Sequence, residues 1–89
     1  MTGPIHKADA RITETIIDDE VVVMNAVNGN FFSLTQTGKI VWNLVDGIRT
    51  RDSIIEHVAR EYETDSGQVA SDVDHFLKQL SDAGLVELV

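Results

Sequence analysis

The residues of this chain that could do chemistry are 3 His, 15 Asp and Glu, and a scatter of serines, with no cysteine at all. Thiolate nucleophiles, disulfides and cysteine-held zinc are therefore excluded. His57 and Glu61 stand four apart, so on a helix they share a face and form a minimal metal or acid/base pair. Nothing in the sequence completes that pair, and a solvated helix face satisfies the same two residues. Asp72, Asp74 and His75 crowd together, but the adjacent Asp74 and His75 point about 100° apart around a helix. His6 lies near the N-terminus, away from either group. Ser33, Ser53, Ser66, Ser71 and Ser81 lack a nucleophile-elbow context, and Gly29, Gly38 and Gly47 make no phosphate loop. The carboxylates Glu61, Glu63, Asp65, Asp72, Asp74 and Asp82 do not follow the ligand spacing of a calcium loop. They read as a solvated acidic face, or as a surface that reads a basic peptide. No catalytic residue, metal site or cofactor is expected, so the chain reads as a binding protein rather than an enzyme.

The elements that must position any site fit in one small domain. The chain has 89 residues, 43% hydrophobic and 25% charged, which is ordinary for a globular fold. Its longest apolar run, Val21-Val22-Val23-Met24, is too short to cross a bilayer, and no signal peptide is evident in the first ten residues. A cytoplasmic protein without membrane contact is expected. The net charge of −8 disfavours nucleic acid, whose affinity depends on cationic side chains, and favours a partner carrying positive charge.

Residues Met1 to Ala10 contain Gly3 and Pro4 and show no period, so a flexible N-terminal arm is expected, followed by a single domain over 11–89. From Arg11 to Leu34 β-branched and aromatic residues dominate, with Asp18-Asp19 and Asn28-Gly29 as turns. Asn-Gly suits a type I′ hairpin, and the segment reads as a three-stranded antiparallel meander. After Leu34 the period becomes helical. Thr35 opens a helix carrying Ile40, Val41, Leu44 and Val45, with Trp42 on a flank, and Asp46-Gly47 ends it. Thr50 caps a second helix with a stripe of Ile54, Ile55, Val58, Ala59 and Tyr62. Asp65 and Gln68 form a capping box for a third, striped by Val69, Val73, Phe76, Leu77, Leu80 and Ala83 and stopped by Gly84. The apolar tail Leu85 to Val89 can dock or add a short strand. Strands first and helices afterwards predict an α+β fold.

The first and third strands of such a meander have open edges unless other elements cover them. The first carries charge and hydroxyls. The third, Asn30-Phe31-Phe32-Ser33-Leu34, has no charge, no proline and two adjacent aromatics that alternation sends to opposite faces. Phe32 and Leu34 are assigned to the core and Phe31 to the outside. An unguarded edge of this kind is hidden, by the C-terminal tail or a second copy, or used for strand addition by an extended peptide. The third helix would supply the other wall of such a groove. A monomer or weak dimer is consistent with either.

The run Gly29-Asn30-Phe31-Phe32-Ser33-Leu34, Thr37-Gly38, Ile40-Val41-Trp42, Leu44-Val45-Asp46-Gly47, Asp72-Val73, Phe76-Leu77, Leu80 and Gly84-Leu85-Val86 resembles the PqqD-like family. The resemblance spans about Ile12 to Leu88. It implies a winged-helix-like fold of three strands followed by three helices, without catalytic activity, that binds the leader segment of a ribosomally made precursor peptide. The leader would add to the third strand and be presented to a separate leader peptidase or modifying enzyme. Carried over, the peptide-binding residues would be Asn30, Phe31, Phe32, Ser33 and Leu34 on one side and Val69, Val73, Phe76 and Leu77 on the other. The segment Asn30 to Thr37 differs from members dedicated to pyrroloquinoline quinone synthesis, where a Val-Lys-Leu-Asn type stretch is expected. It is more similar to the stand-alone recognition elements of lasso-peptide clusters. A peptide chaperone of quinone-cofactor synthesis and a winged-helix nucleic-acid module are the alternatives.

Overall fold

The structure is a computed structural model and describes residues 3–88. Its elements, in chain order, are β1 (His6–Lys7), β2 (Ile12–Ile17), β3 (Glu20–Asn25), β4 (Phe31–Leu34), α1 (Gln36–Leu44), α2 (Arg51–Tyr62), α3 (Ser66–Asp82) and β5 (Val86–Glu87). Strands β2, β3 and β4 form an antiparallel meander in that order, with Ile12 opposite Asn25 and Val21 opposite Leu34. Strands β1 and β5 pair separately. This is the α+β arrangement of three strands followed by three helices that the period change implies.

The inner sheet face, with Val23 and Leu34 buried, packs on the helices around Trp42, Ile54, Leu77, Leu80 and Leu85. Thr50 caps α2 by accepting from the Ser53 N–H, and Asp65 caps α3 by accepting from the Gly67 N–H. The capping box does not form: Gln68 turns away and donates to Asp72 at 3.2 Å. Thr35 occupies the N-cap position of α1 without a side-chain bond. Gly84, at φ +75°, supplies the left-handed stop that α3 needs, and the Leu85 N–H returns to the Leu80 carbonyl at 2.9 Å.

Several expectations are corrected. Asn28-Gly29 is not a two-residue hairpin, because five residues connect β3 to β4 and only Gly29 of that pair has positive φ. The Asn25 carboxamide oxygen organises this loop by accepting from the Val27 and Asn28 N–H groups at 2.8 and 3.2 Å. Trp42 is fully buried rather than on a flank: its indole N–H donates to Glu14 on β2, and Lys7 Nζ lies 4.6 Å from the ring centroid. Tyr62, expected in the α2 stripe, is 46% exposed at the helix end.

The N-terminal arm is also corrected for its described part. Ile5 and Ala8 are buried, and β1 pairs with β5. Ile5 donates to the Arg49 carbonyl at 3.1 Å and accepts from the Gly47 N–H at 2.9 Å. The Asp46-Gly47 turn leaves those backbone groups free to bind a passing chain, and glycine is needed there: at φ +80°, a Cβ would sit 2.9 Å from His6 Nδ1. The domain therefore includes this segment instead of starting at residue 11; Met1, Thr2 and Val89 lie outside the described residues. Because the tail is taken by β1, it does not cover β4.

Candidate functional site

Among the described residues, β4 pairs only with β3, so its other edge is open. The Asn25 N–H donates to the Asn30 carbonyl at 2.8 Å. Antiparallel alternation then makes Val23–Phe32 and Val21–Leu34 the hydrogen-bonded pairs, and turns the backbone groups of Phe31 and Ser33 toward the open edge. Side chains alternate independently: Phe32 and Leu34 point inward, while Phe31, 65% exposed, sits on the outer face opposite Met24. Ser33 Oγ donates to Glu20 at 2.7 Å, and the Asn30 N–H donates to Asn28 Oδ1 at 2.9 Å.

Helix α3 runs beside this edge and makes two clefts. One, at the β4 start and the α3 end, is lined by Asn30, Phe31, Phe32, Gln79, Asp82 and Ala83. The other, of about 360 Å³, lies between α1, the end of α2 and α3, with Val69 and Val73 as its floor and Gly38, Tyr62, Asp72 and Phe76 around it. Phe76 lines the second cleft beside Gly38: from Gly38, a Cβ would find Phe76 Cζ at 3.6 Å and Leu34 Cδ2 at 3.8 Å. A side chain there would begin to fill the cleft mouth.

The nine residues named from sequence are thus divided. Asn30, Phe31 and Phe32 line the β4 cleft, Ser33 faces the open edge, and Val69, Val73 and Phe76 line the α1 cleft. Leu34 and Leu77 do not offer contact surface; Leu77 is completely buried, so its place in the groove wall is corrected to a core position behind it. Sequence reasoning did not place Gln79 or Tyr62 at the clefts, and it named Asp72 and Asp82 only as part of an acidic face that could read a basic peptide. Gln79 was accessible to it, since Asp72 and Gln79 lie four before and three after Phe76 on one side of the helix, whereas Asp82 lies about 120° round from Phe76.

The charged residues elsewhere are structural. Arg51 at the start of α2 holds Asp74 with two hydrogen bonds, the Nη2 one at 2.7 Å, on the side of α3 facing α2. Those bonds, and then the guanidinium charge, lower the Asp74 carboxyl below its ordinary value. Asp46 is lowered likewise, first by N–H donation from Arg49 and Ile48 and then by the Arg49 charge. His57 Nε2 lies 3.3 Å from Glu61, both half-exposed, and no group of three or more metal-binding side chains comes together among the described residues.

A three-stranded meander followed by three helices, with an open strand edge beside the last helix, defines a winged-helix-like α+β domain. The chain belongs to the PqqD family: the family model described as "Coenzyme PQQ synthesis protein D (PqqD)" matches residues 20–86. It is similar in structure to TbiB1, solved in complex with the TbiA(beta) leader peptide, at TM-score 0.81 and 30% identity over 92% of this chain and 94% of that one. No curated protein matches the sequence. Among the described residues no helix is long and apolar enough to cross a membrane.

Proposed function

We propose that this protein is a non-catalytic recognition element that binds the leader of a ribosomal precursor peptide as an added strand on β4, and presents it to a separate leader peptidase or modifying enzyme in lasso-peptide biosynthesis. The observation that carries the reading is the open edge of β4, with Phe31 and Ser33 offering backbone donors and acceptors directly beside the clefts of α3. Strand addition satisfies those groups, and the clefts receive alternate side chains of the incoming strand. Asn30, Phe31, Phe32 and Ser33 supply one wall; Phe76, over Val69 and Val73, supplies the other. The similarity to a leader-bound structure supports the same occupant here.

The test is binding of synthetic leaders from precursor genes beside the gene for this protein, measured by fluorescence anisotropy. Micromolar or tighter saturable binding to one of them is expected. Absence of saturable binding to every such leader would overturn the reading.

A further inference from the structure

The two clefts beside α3 contain two charged residues, and both are aspartates: Asp72 in the α1 cleft, which Phe76 also lines, and Asp82 in the β4 cleft. Neither cleft is lined by lysine, arginine or histidine. Asp72 accepts from the neutral Gln68 amide, so no cation offsets it through that bond. Asp82 has Lys78 Nζ at 3.6 Å, but both side chains are more than two-thirds exposed, and an exposed i,i+4 pair is readily displaced by a competing cation. Asp74, by contrast, is committed to Arg51. Beyond the C-terminal end of β4, Lys39 is bound to the Asp19 carbonyl and surrounded by Asp18, Asp19 and Glu20, so that end is acidic too.

The spacing gives this charge a pattern. Asp72 and Asp82 are ten residues apart, about 15 Å along α3 and about 80° apart around it, with Phe76 about 6 Å along the axis from Asp72. On an extended strand, side chains at i, i+2 and i+4 face the same way, about 6.8 Å apart, so i and i+4 are separated by about 14 Å. The two scales coincide. Long Lys and Arg stems absorb the remaining mismatch while lying along the apolar wall.

We propose, resting on the strand-addition reading above, that the groove selects a cationic leader: Lys or Arg at two groove-facing positions four residues apart, with an apolar residue midway against Phe76. Asp72 and Asp82 are its specificity-determining residues. The pattern is the same for either strand direction, because the aspartates bracket the apolar position. An acidic side chain at either outer position faces a carboxylate of like charge.

The test is an unbiased selection, using mRNA display of random 12-residue peptides against the immobilised full chain. Selections run in parallel on Ser33→Pro, which blocks the open edge, and on Asp18→Asn with Asp19→Asn, which makes the net charge less negative without touching either cleft of α3. The expected result is edge-dependent enrichment of Lys or Arg four apart around an apolar residue, unchanged by the Asp18 and Asp19 substitutions. Anisotropy with a selected peptide should weaken about two- to fivefold for Asp72→Asn and for Asp82→Asn at low ionic strength. Each loss should vanish when the matching peptide cation is replaced by Gln. Edge-dependent peptides without that cation pattern would overturn this inference and leave strand addition standing. No edge-dependent enrichment would overturn both.

Discussion

The side-chain amide of Asn25 on β3 donates to the carbonyl of Gly84, just beyond α3, at 3.0 Å. It also approaches the Ala83 carbonyl at 3.4 Å, while the Asn25 oxygen takes two N–H groups of its own loop. Asn25 is buried, and each end of its carboxamide is satisfied. This one residue therefore fixes the loop that starts β4 and ties it to the end of α3, setting the width of the groove at that end.

Removing either partner should loosen the fold. Asn25→Ala leaves buried backbone donors and acceptors unpaired and should cost about 1–3 kcal/mol. Gly84→Ala meets a left-handed backbone, and its Cβ would lie 2.5 Å from Asn25 Nδ2. The strain of that conformation alone is about 1–2 kcal/mol. Urea unfolding of the single and double variants should show less than additive losses, since both act on one contact. Additive losses would show that the two residues stabilise the fold independently.

Ser33→Pro should separate binding from stability. Its backbone faces the open edge, so proline removes a donor from an incoming strand while leaving the β3–β4 ladder intact. Leader affinity should fall by about tenfold, the upper end of one net hydrogen bond. Ser33→Ala removes only the hydroxyl bond to Glu20 and should change affinity little. Equal losses in the two variants would place the effect in the side chain rather than the edge.

Much of this frame is written locally. The strands, the Thr50 and Asp65 caps and the Gly84 stop depend on neighbours in sequence, and their signals are legible there. Three features are not local. The loop at Asn28-Gly29 is shaped by the side chain of Asn25, which an Asn-Gly reading ignores. The burial of Ile5 depends on backbone groups of a turn more than forty residues away. The groove wall on α3 includes polar Asp72, Gln79 and Asp82, which a search for an apolar stripe passes over in favour of Leu77. Which side of a helix meets a strand edge is decided by tertiary packing, and apolarity alone marks the core side.

Acidification should weaken the α2–α3 junction. Asp74 and Asp46 have folded pKa values below their ordinary ones, so their stabilisation is fully present above pH about 4 and is lost as pH falls through the folded values. At pH 7, Asp74→Asn should be less stable than the native chain in thermal unfolding. The difference should close as pH falls below about 4, where the native carboxyl is protonated too. A gap independent of pH would mean that Arg51 is held by geometry rather than charge.

Duplex nucleic acid should not bind despite the winged-helix order of elements. Helix α3, the candidate recognition helix, carries Asp72, Asp74 and Asp82 against Lys78 alone. Gel shifts with random duplex DNA at physiological salt should show none. A shift that weakens steeply with salt would identify a basic surface elsewhere on the molecule.

The N-terminal segment should act as a strap over the core rather than as a tail. Ile5 is completely buried, its backbone is bonded to Gly47 and Arg49, and the following Lys7 covers Trp42. Ile5→Ala should cost about 2–5 kcal/mol, as for other large-to-small core changes. For a domain of this size that lowers Tm by about 10 °C or more. Trp42 is the sole tryptophan, so its fluorescence reports directly on the strap. Deleting residues 1–8 removes the lysine and the cover together, and should shift Trp42 emission to the red and raise its acrylamide quenching under conditions where α-helical circular dichroism persists. Since Trp42 lines neither cleft, a peptide that binds at β4 should leave Trp42 quenching unchanged. Emission and quenching identical to the full chain would show that the strap does not shield the indole.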